Sequence, residues 1–229
     1  MRNGFRRYYH RADMRAPSAP TISYAVTVFD ELEEVRRLVP ILRKHLGAGD
    51  EIVIQYDMPK ATPAVLDYLG GLGDAVIVPF ALDDDFASFK NNLKAHCRGD
   101  YIFQIDADEY PTDALMTQLR ALLAANPAVD VLLVPRVNTV RGLTPEHVRN
   151  WNWHVSPQGW VNFPDPQTRI WKNSNSISWQ NRVHDKPVGG NMHAHLPFRP
   201  ELSLIHAKDI ARQERQNRYY ETLASLARP

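Results

Sequence analysis

The sequence predicts an α/β protein whose mostly parallel central sheet carries helices on both faces. Three observations predict it. Runs of β-branched and aromatic residues alternate with segments of helical apolar spacing over residues 21–135. The connections between them are short and marked by Gly, Pro and Asp. Carboxylates stand at the carboxyl ends of two of the strands, the edge at which ligands of such sheets sit.

The elements follow in order. Residues 21–29 (TISYAVTVF) read as a strand. A helix opens at Asp30 or Glu31, with Leu32, Val35, Leu38, Val39, Leu42 and Leu46 on one stripe, and Gly47 and Gly49 end it. A second strand over 51–56 finishes at Asp57. A helix over 63–69 is broken by Gly70, Gly71 and Gly73, and a third strand covers 75–80. A helix over 86–96, a Gly99-Asp100 turn and a fourth strand over 101–105 come next. Thr112 is placed to cap a helix running to 125, and 129–134 returns as a strand.

The character changes after Arg136. All five tryptophans lie between 151 and 179, interrupted by prolines and asparagines. This reads as a loop-rich region with short strands over 168–172 and 176–179, whose tryptophans either fill a core or offer a platform for a sugar ring. A last helix is predicted over 210–227. The chain thus divides into a basic arm (1–20), one domain (21–208, with halves 21–135 and 136–208) and a C-terminal helix (209–229).

Bulk properties set limits. With 229 residues, 44% hydrophobic and 23% charged, the composition is that of an ordinary globular domain. A net charge of +1 argues against a nucleic-acid partner. Cys97 is the one cysteine, so no internal disulfide forms; a reducing, cytoplasmic setting and a space-filling role in its helix fit best. No apolar run reaches the length of a membrane span, and no signal-peptide core precedes the first strand. The arm carries Arg2, Arg6, Arg7, Arg11 and Arg15 with Tyr8 and Tyr9. It reads as a flexible tail or as a peripheral anchor for anionic headgroups at the inner face of the plasma membrane.

The fourth strand runs straight into Asp106-Ala107-Asp108-Glu109. Carboxylates crowded at a strand end repel one another and resist burial, so they are paired or bound to a cation, and hard divalent ions suit such oxygen-rich surroundings. Around this motif stand Val28-Phe29-Asp30-Glu31, Asp57, Phe89-Lys90-Asn91-Asn92-Leu93, Gly99-Asp100-Tyr101-Ile102, Arg169-Ile170-Trp171-Lys172-Asn173 and Arg182-Val183-His184-Asp185. The ordered set resembles family 2 of the glycosyltransferases, which have the nucleotide-sugar-binding GT-A fold, over about residues 21–208.

The resemblance implies roles for particular residues. Phe29, Asp30 and Glu31 face the base and ribose, with Asp30 where many members carry Asn. Asp57 contacts the base. Lys90, often Arg in relatives, lies near the diphosphate or the base. Asp106 and Ala107 border the donor, with Asp106 on the ribose or the metal. Asp108 ligates Mn²⁺ or Mg²⁺, and His206 completes the metal shell. Asp185 is the base that takes the acceptor proton in an inverting single displacement, where relatives commonly have Glu, and Asp165 is held in reserve. His184 and Arg182 assist there, and Trp160 and Trp179 form the acceptor platform. A UDP-sugar is the implied donor and a glycan or glycolipid the acceptor, in cell-surface glycan or lipopolysaccharide synthesis. Two other readings are a non-catalytic glycan- or membrane-binding domain of the same fold and a phosphatase of the haloacid-dehalogenase type. The latter usually places its Asp-x-Asp near the start of the domain, followed by a small hydroxyl residue and Gly; here Glu109-Tyr110-Pro111 follows.

Overall fold

A computed structural model describes residues 19–182 and 186–226. The predicted arm, but for Ala19 and Pro20, lies outside the described residues, as do His184, Asp185 and the last residue of the predicted C-terminal helix. In chain order the elements are β1 (Ile22–Val28), α1 (Leu32–Lys44), β2 (Glu51–Asp57), α2 (Pro63–Gly70), β3 (Val76–Phe80), α3 (Phe86–Ala95), β4 (Tyr101–Asp106), β5 (Glu109–Pro111) and α4 (Asp113–Ala125). After them come β6 (Val131–Val134), β7 (Arg136–Arg141), α5 (Pro145–Asn150), β8 (Gln167–Lys172), β9 (Ser178–Gln180), β10 (Lys186–Val188), β11 (His193–His195), β12 (Leu204–Asp209) and α6 (Ile210–Leu226).

The first half forms as its residues dictate. Val35, Leu38, Val39 and Leu42 of α1 are buried, the stripe that the spacing predicts. Thr62, Asp85 and Thr112 each accept a hydrogen bond from the backbone N–H three residues on, capping α2, α3 and α4. The Gly99-Asp100 turn is pressed against β1. A Cβ on Gly99 would meet the Ser23 nitrogen at 2.5 Å, and Asp100 accepts from the Thr21 backbone N–H and hydroxyl at 2.8 Å each. Cys97 is buried just beyond α3, where burial pushes its thiol up to about 12.

Seven strands make the main sheet in the order β11-β6-β8-β4-β1-β2-β3. β3, β2, β1 and β4 are mutually parallel, and β8 alone runs antiparallel, between β4 and β6. One face packs on α1, α2 and α4 through residues such as Tyr24, Val26 and Phe103. The other packs on α3 and on the β9 segment through Ala25, Val53, Ile102 and Trp171. Strand order reverses at β1, with β2 to one side and β4 to the other. The switch point therefore lies beyond the paired residues Thr27 and Asp106.

The second half holds more structure than its sequence announces. β5, β12 and β7 form a separate three-stranded sheet, in which His206 sits opposite both Glu109 and Asn138. β9 and β10 form a hairpin. Asp130 ties the β10–β11 connection to the main sheet: it accepts from the backbone N–H groups of Asn191 (2.7 Å) and Met192 (3.2 Å) and from Lys172 (2.8 Å). Those donors, Lys172 first, hold its carboxyl at about 2. A carboxyl depressed in the folded state contributes stability above its unfolded value and loses it as pH falls through the folded one. Amide hydrogen exchange at Asn191 and Met192 is therefore expected to be slow and flat above pH 4, after correction for intrinsic rates, and to accelerate towards pH 2. Protection that does not fall over that window contradicts this.

Candidate active site

Beyond the carboxyl ends of β1 and β4 lie two cavities that meet. The β1-side cavity, of about 530 Å³, is lined by Thr27, Phe29, Asp30, Glu31, Phe89, Lys90, Asp106, Ala107 and Asp108 and by α6 residues. The β8-side cavity, of about 570 Å³, is bordered by Arg136, Asn138, Trp153, Asp165, Arg169, Trp179 and His206. Lys90, Asp106, Asp108 and Gln216 line both. Each volume suits a small organic ligand.

Asp106 ends β4. Its Oδ1 accepts from the Thr27 hydroxyl (2.9 Å) and the Gln104 amide (3.1 Å), and its Oδ2 from the Arg169 guanidinium. Burial would raise this carboxyl, but Arg169 and Lys90 outweigh it and hold the group at about 2. Glu109, fully buried, accepts from Arg136 and Arg169 at 2.7 Å each. Arg136 also grips Asp165 through Nε (2.9 Å) and Nη2 (2.8 Å). An unbroken chain of alternating charges thus runs Asp106–Arg169–Glu109–Arg136–Asp165 beneath the cavities, each member neutralising its neighbours.

Asp108 lies at the junction. His206 Nε2 is 3.2 Å from its Oδ2, and Arg212 Nη2 is 3.3 Å from the same atom. Burial opposes its ionisation; the His206 contact, Lys208 and Arg212 prevail and keep the carboxyl well below the usual range. The far side of His206 is defined by Asn138, whose amide donates to Asp165 (2.6 Å), so that its oxygen faces His206 Nδ1 at 2.8 Å. Nδ1 must then carry the proton. Nε2 can meet the Asp108 oxygen only with a second proton or with a cation shared between them.

The predicted residues fall unevenly. Seven of the eight expected around a nucleotide-sugar line the β1-side cavity; Asp57 does not. It is 1% exposed and spends its Oδ1 on the Leu82 backbone N–H (2.9 Å), so it braces the wall to which Leu82 and Lys60 belong. Asp165 lines the other cavity, but its two oxygens already accept from Arg136, Asn138 and Gln167, and those donors lower its pKa against burial. A carboxylate so occupied is a poor proton acceptor, and its φ of 37° shows that it is held rather than relaxed. Asp106, with both oxygens engaged, is no ready metal ligand either. Among the described residues no group of three or more His, Cys, Asp or Glu side chains is gathered to hold an ion. Trp179 lines the β8-side cavity, with Lys90 Nζ 4.1 Å above its ring. Trp160 instead packs on Phe163, and the tryptophan that joins Trp179 at the cavity is Trp153. Arg182 donates to the Asp83 carbonyl and accepts from the Phe86 N–H, which fastens the end of the β9 segment to the start of α3.

The sequence reading left Arg136, Arg169, Glu109 and Arg212 without roles. Arg136, Asn138, Thr139 and Val140 of β7 line the cavity. No strict period of two separates the cavity-lining positions from the rest of β7, so no local signal pointed there.

Comparison with solved structures places the fold. The chain is similar to Staphylococcus aureus TarS 1-349, with a TM-score of 0.59 and 13% identity, covering 82% of this chain and 60% of that one. The complex of the same protein with UDP-GlcNAc gives a TM-score of 0.57 at 14% identity, covering 82% and 58%. Its UDP complex gives 0.58 at 13%, covering 82% and 60%. This chain thus spans about three-fifths of the length of these three structures. No family model and no curated protein matches the sequence. The central sheet, its helices and this likeness define a GT-A-like fold. Among the described residues no helix is long and apolar enough to cross a membrane.

Proposed function

We propose that this chain is a metal-dependent glycosyltransferase that moves a sugar from a nucleoside diphosphate to a hydroxyl acceptor with inversion. The observation that carries the reading is the pair of cavities meeting at Asp106, Asp108 and Lys90, beyond the switch point of a GT-A-like sheet. The β1-side cavity takes the nucleotide. Phe29 and Phe89, stacked 5.6 Å apart, offer it an aromatic wall, and Asp30 offers an acceptor for hydroxyls. The UDP and UDP-GlcNAc complexes of TarS support UDP as the nucleotide. The β8-side cavity takes the transferred sugar and a glycan or glycolipid acceptor, with Trp153 and Trp179 as apolar faces for the rings.

Asp108 and His206 are the residues that would hold a Mn²⁺ or Mg²⁺ ion. Two protein donors suffice where phosphate oxygens and water complete the shell. Bound there, the ion would neutralise the charge that develops on the departing diphosphate. Asp106, fixed by Thr27, Gln104 and Arg169, keeps one orientation at the junction, and Lys90 adds positive charge beside it. Asp185 remains the proposed base. It lies outside the described residues, but its neighbour Lys186 lines the β8-side cavity.

Incubation with a panel of nucleotide sugars and Mn²⁺, UDP-GlcNAc first, is expected to release nucleoside diphosphate. No release with any donor and acceptor defeats the proposal, and inorganic phosphate from simple esters would favour a phosphatase. Asp185→Asn is expected to keep donor affinity within about twofold while transfer drops by about a hundredfold or more, the scale of a lost general base. Near-normal turnover would move the base elsewhere.

A further inference from the structure

Helix α6 closes the β1-side cavity, contributing Arg212, Arg215, Gln216 and Tyr219 to its wall. It is fastened along its length: Asp209 Oδ1 accepts from the Arg212 backbone N–H (2.8 Å), and the Tyr219 hydroxyl donates to Asp84 (2.7 Å). The Arg212 guanidinium joins three carboxylates. Nη1 donates to Glu34 at 2.9 Å, Nη2 donates to Glu31 at 2.8 Å, and Nη2 lies 3.3 Å from Asp108. The two glutamates come from the start of α1 and orient the side chain. Asp108 is the most distant of the three, and it is the one at the cavity junction.

We propose that Arg212 is a donor-binding residue that serves as counter-ion to Asp108 only until the donor arrives. The inference rests on the transferase reading above. With an ion held at Asp108, the guanidinium, still anchored by Glu31 and Glu34, would turn from that carboxylate to the diphosphate. Charge is conserved in kind at each step: Asp108 exchanges one cation for another, and Arg212 exchanges a carboxylate for a phosphate. A planar guanidinium suits both partners. The exchange also makes Arg212 a competitor of the metal, so the donor-free chain binds divalent ions weakly and the donor brings its ion with it.

Two measurements on the full chain test this. Mn²⁺ binding without nucleotide, followed by the electron paramagnetic resonance of free Mn²⁺, is expected to be several-fold tighter for Arg212→Gln than for the wild type. UDP binding in the presence of Mn²⁺, followed by calorimetry, is expected to be about tenfold weaker. A merely structural role for Arg212 would not strengthen Mn²⁺ binding. If Arg212→Gln does not fold, Arg212→Lys, which keeps the charge without the fork, is expected to show the weaker UDP binding. Unchanged Mn²⁺ affinity, or UDP affinity equal to that of a wild type that binds UDP, overturns the inference alone. A wild type that binds no nucleoside diphosphate overturns the transferase reading beneath it.

Discussion

Replacing Asp108 with alanine is expected to lower the rate of sugar transfer by about a thousandfold and to abolish Mn²⁺-dependent binding of UDP-sugar, since a charge placed against a departing diphosphate supplies several kcal/mol. The fold should survive the change. Asp108 follows β4 in a turn, and its removal leaves Arg212 with Glu31 and Glu34 and leaves His206 with Asn138. Thermal unfolding close to the wild type, together with calorimetry showing no Mn²⁺-dependent UDP-sugar binding, is the expected pair of results. Unchanged UDP-sugar affinity with Mn²⁺ would remove the central support for the transferase reading.

Glu109→Leu is expected to destabilise the fold by about 3–5 kcal/mol, because the buried guanidinium N–H groups of Arg136 and Arg169 that donate to it lose their acceptor. Glu109 has no exposed surface, and both Arg136 and Arg169 depend on it; Arg169 is itself only 4% exposed. Urea denaturation reads the effect directly. Glu109→Gln, which keeps the shape and one acceptor oxygen, should cost clearly less. Equal and small losses for the two variants would mean that the charge chain beneath the cavities contributes little to folding.

The parallel half was readable because its signals are local. Buried apolar runs in β1, β2 and β4, the stripe of α1 and the Thr112 cap declare themselves within a few residues. The half after Arg136 was not. β9, β10 and β11 have three residues each, and β12 finds β5, itself only three residues long, back across more than ninety positions in the first half. Short segments carry too little periodicity to register, and nothing local encodes a partner so far away. The same division runs through the site. Asp106, Asp108, Lys90 and His206 stood out by motif, whereas Glu109 and Arg136 matter through ion pairs that only tertiary structure creates. Asp57 stood out by its place at a strand end, yet its Oδ1 accepts from the Leu82 backbone N–H and it does not line the cavity.

The antiparallel course of β8 has a consequence for specificity. The chain leaves the main sheet at Val134 and re-enters at Gln167, and those two residues are direct partners in the β6–β8 ladder. Between them β7 is pinned by β12, whereas the stretch from Gly142 to Phe163, with Trp153, is an excursion from that frame. Such an excursion resembles a cassette. It can grow, shrink or be exchanged for another without moving a rung of the underlying ladder, because loop closure penalises added length only weakly. On the transferase reading proposed above, acceptor preference can therefore diversify while the donor-facing framework stays as it is.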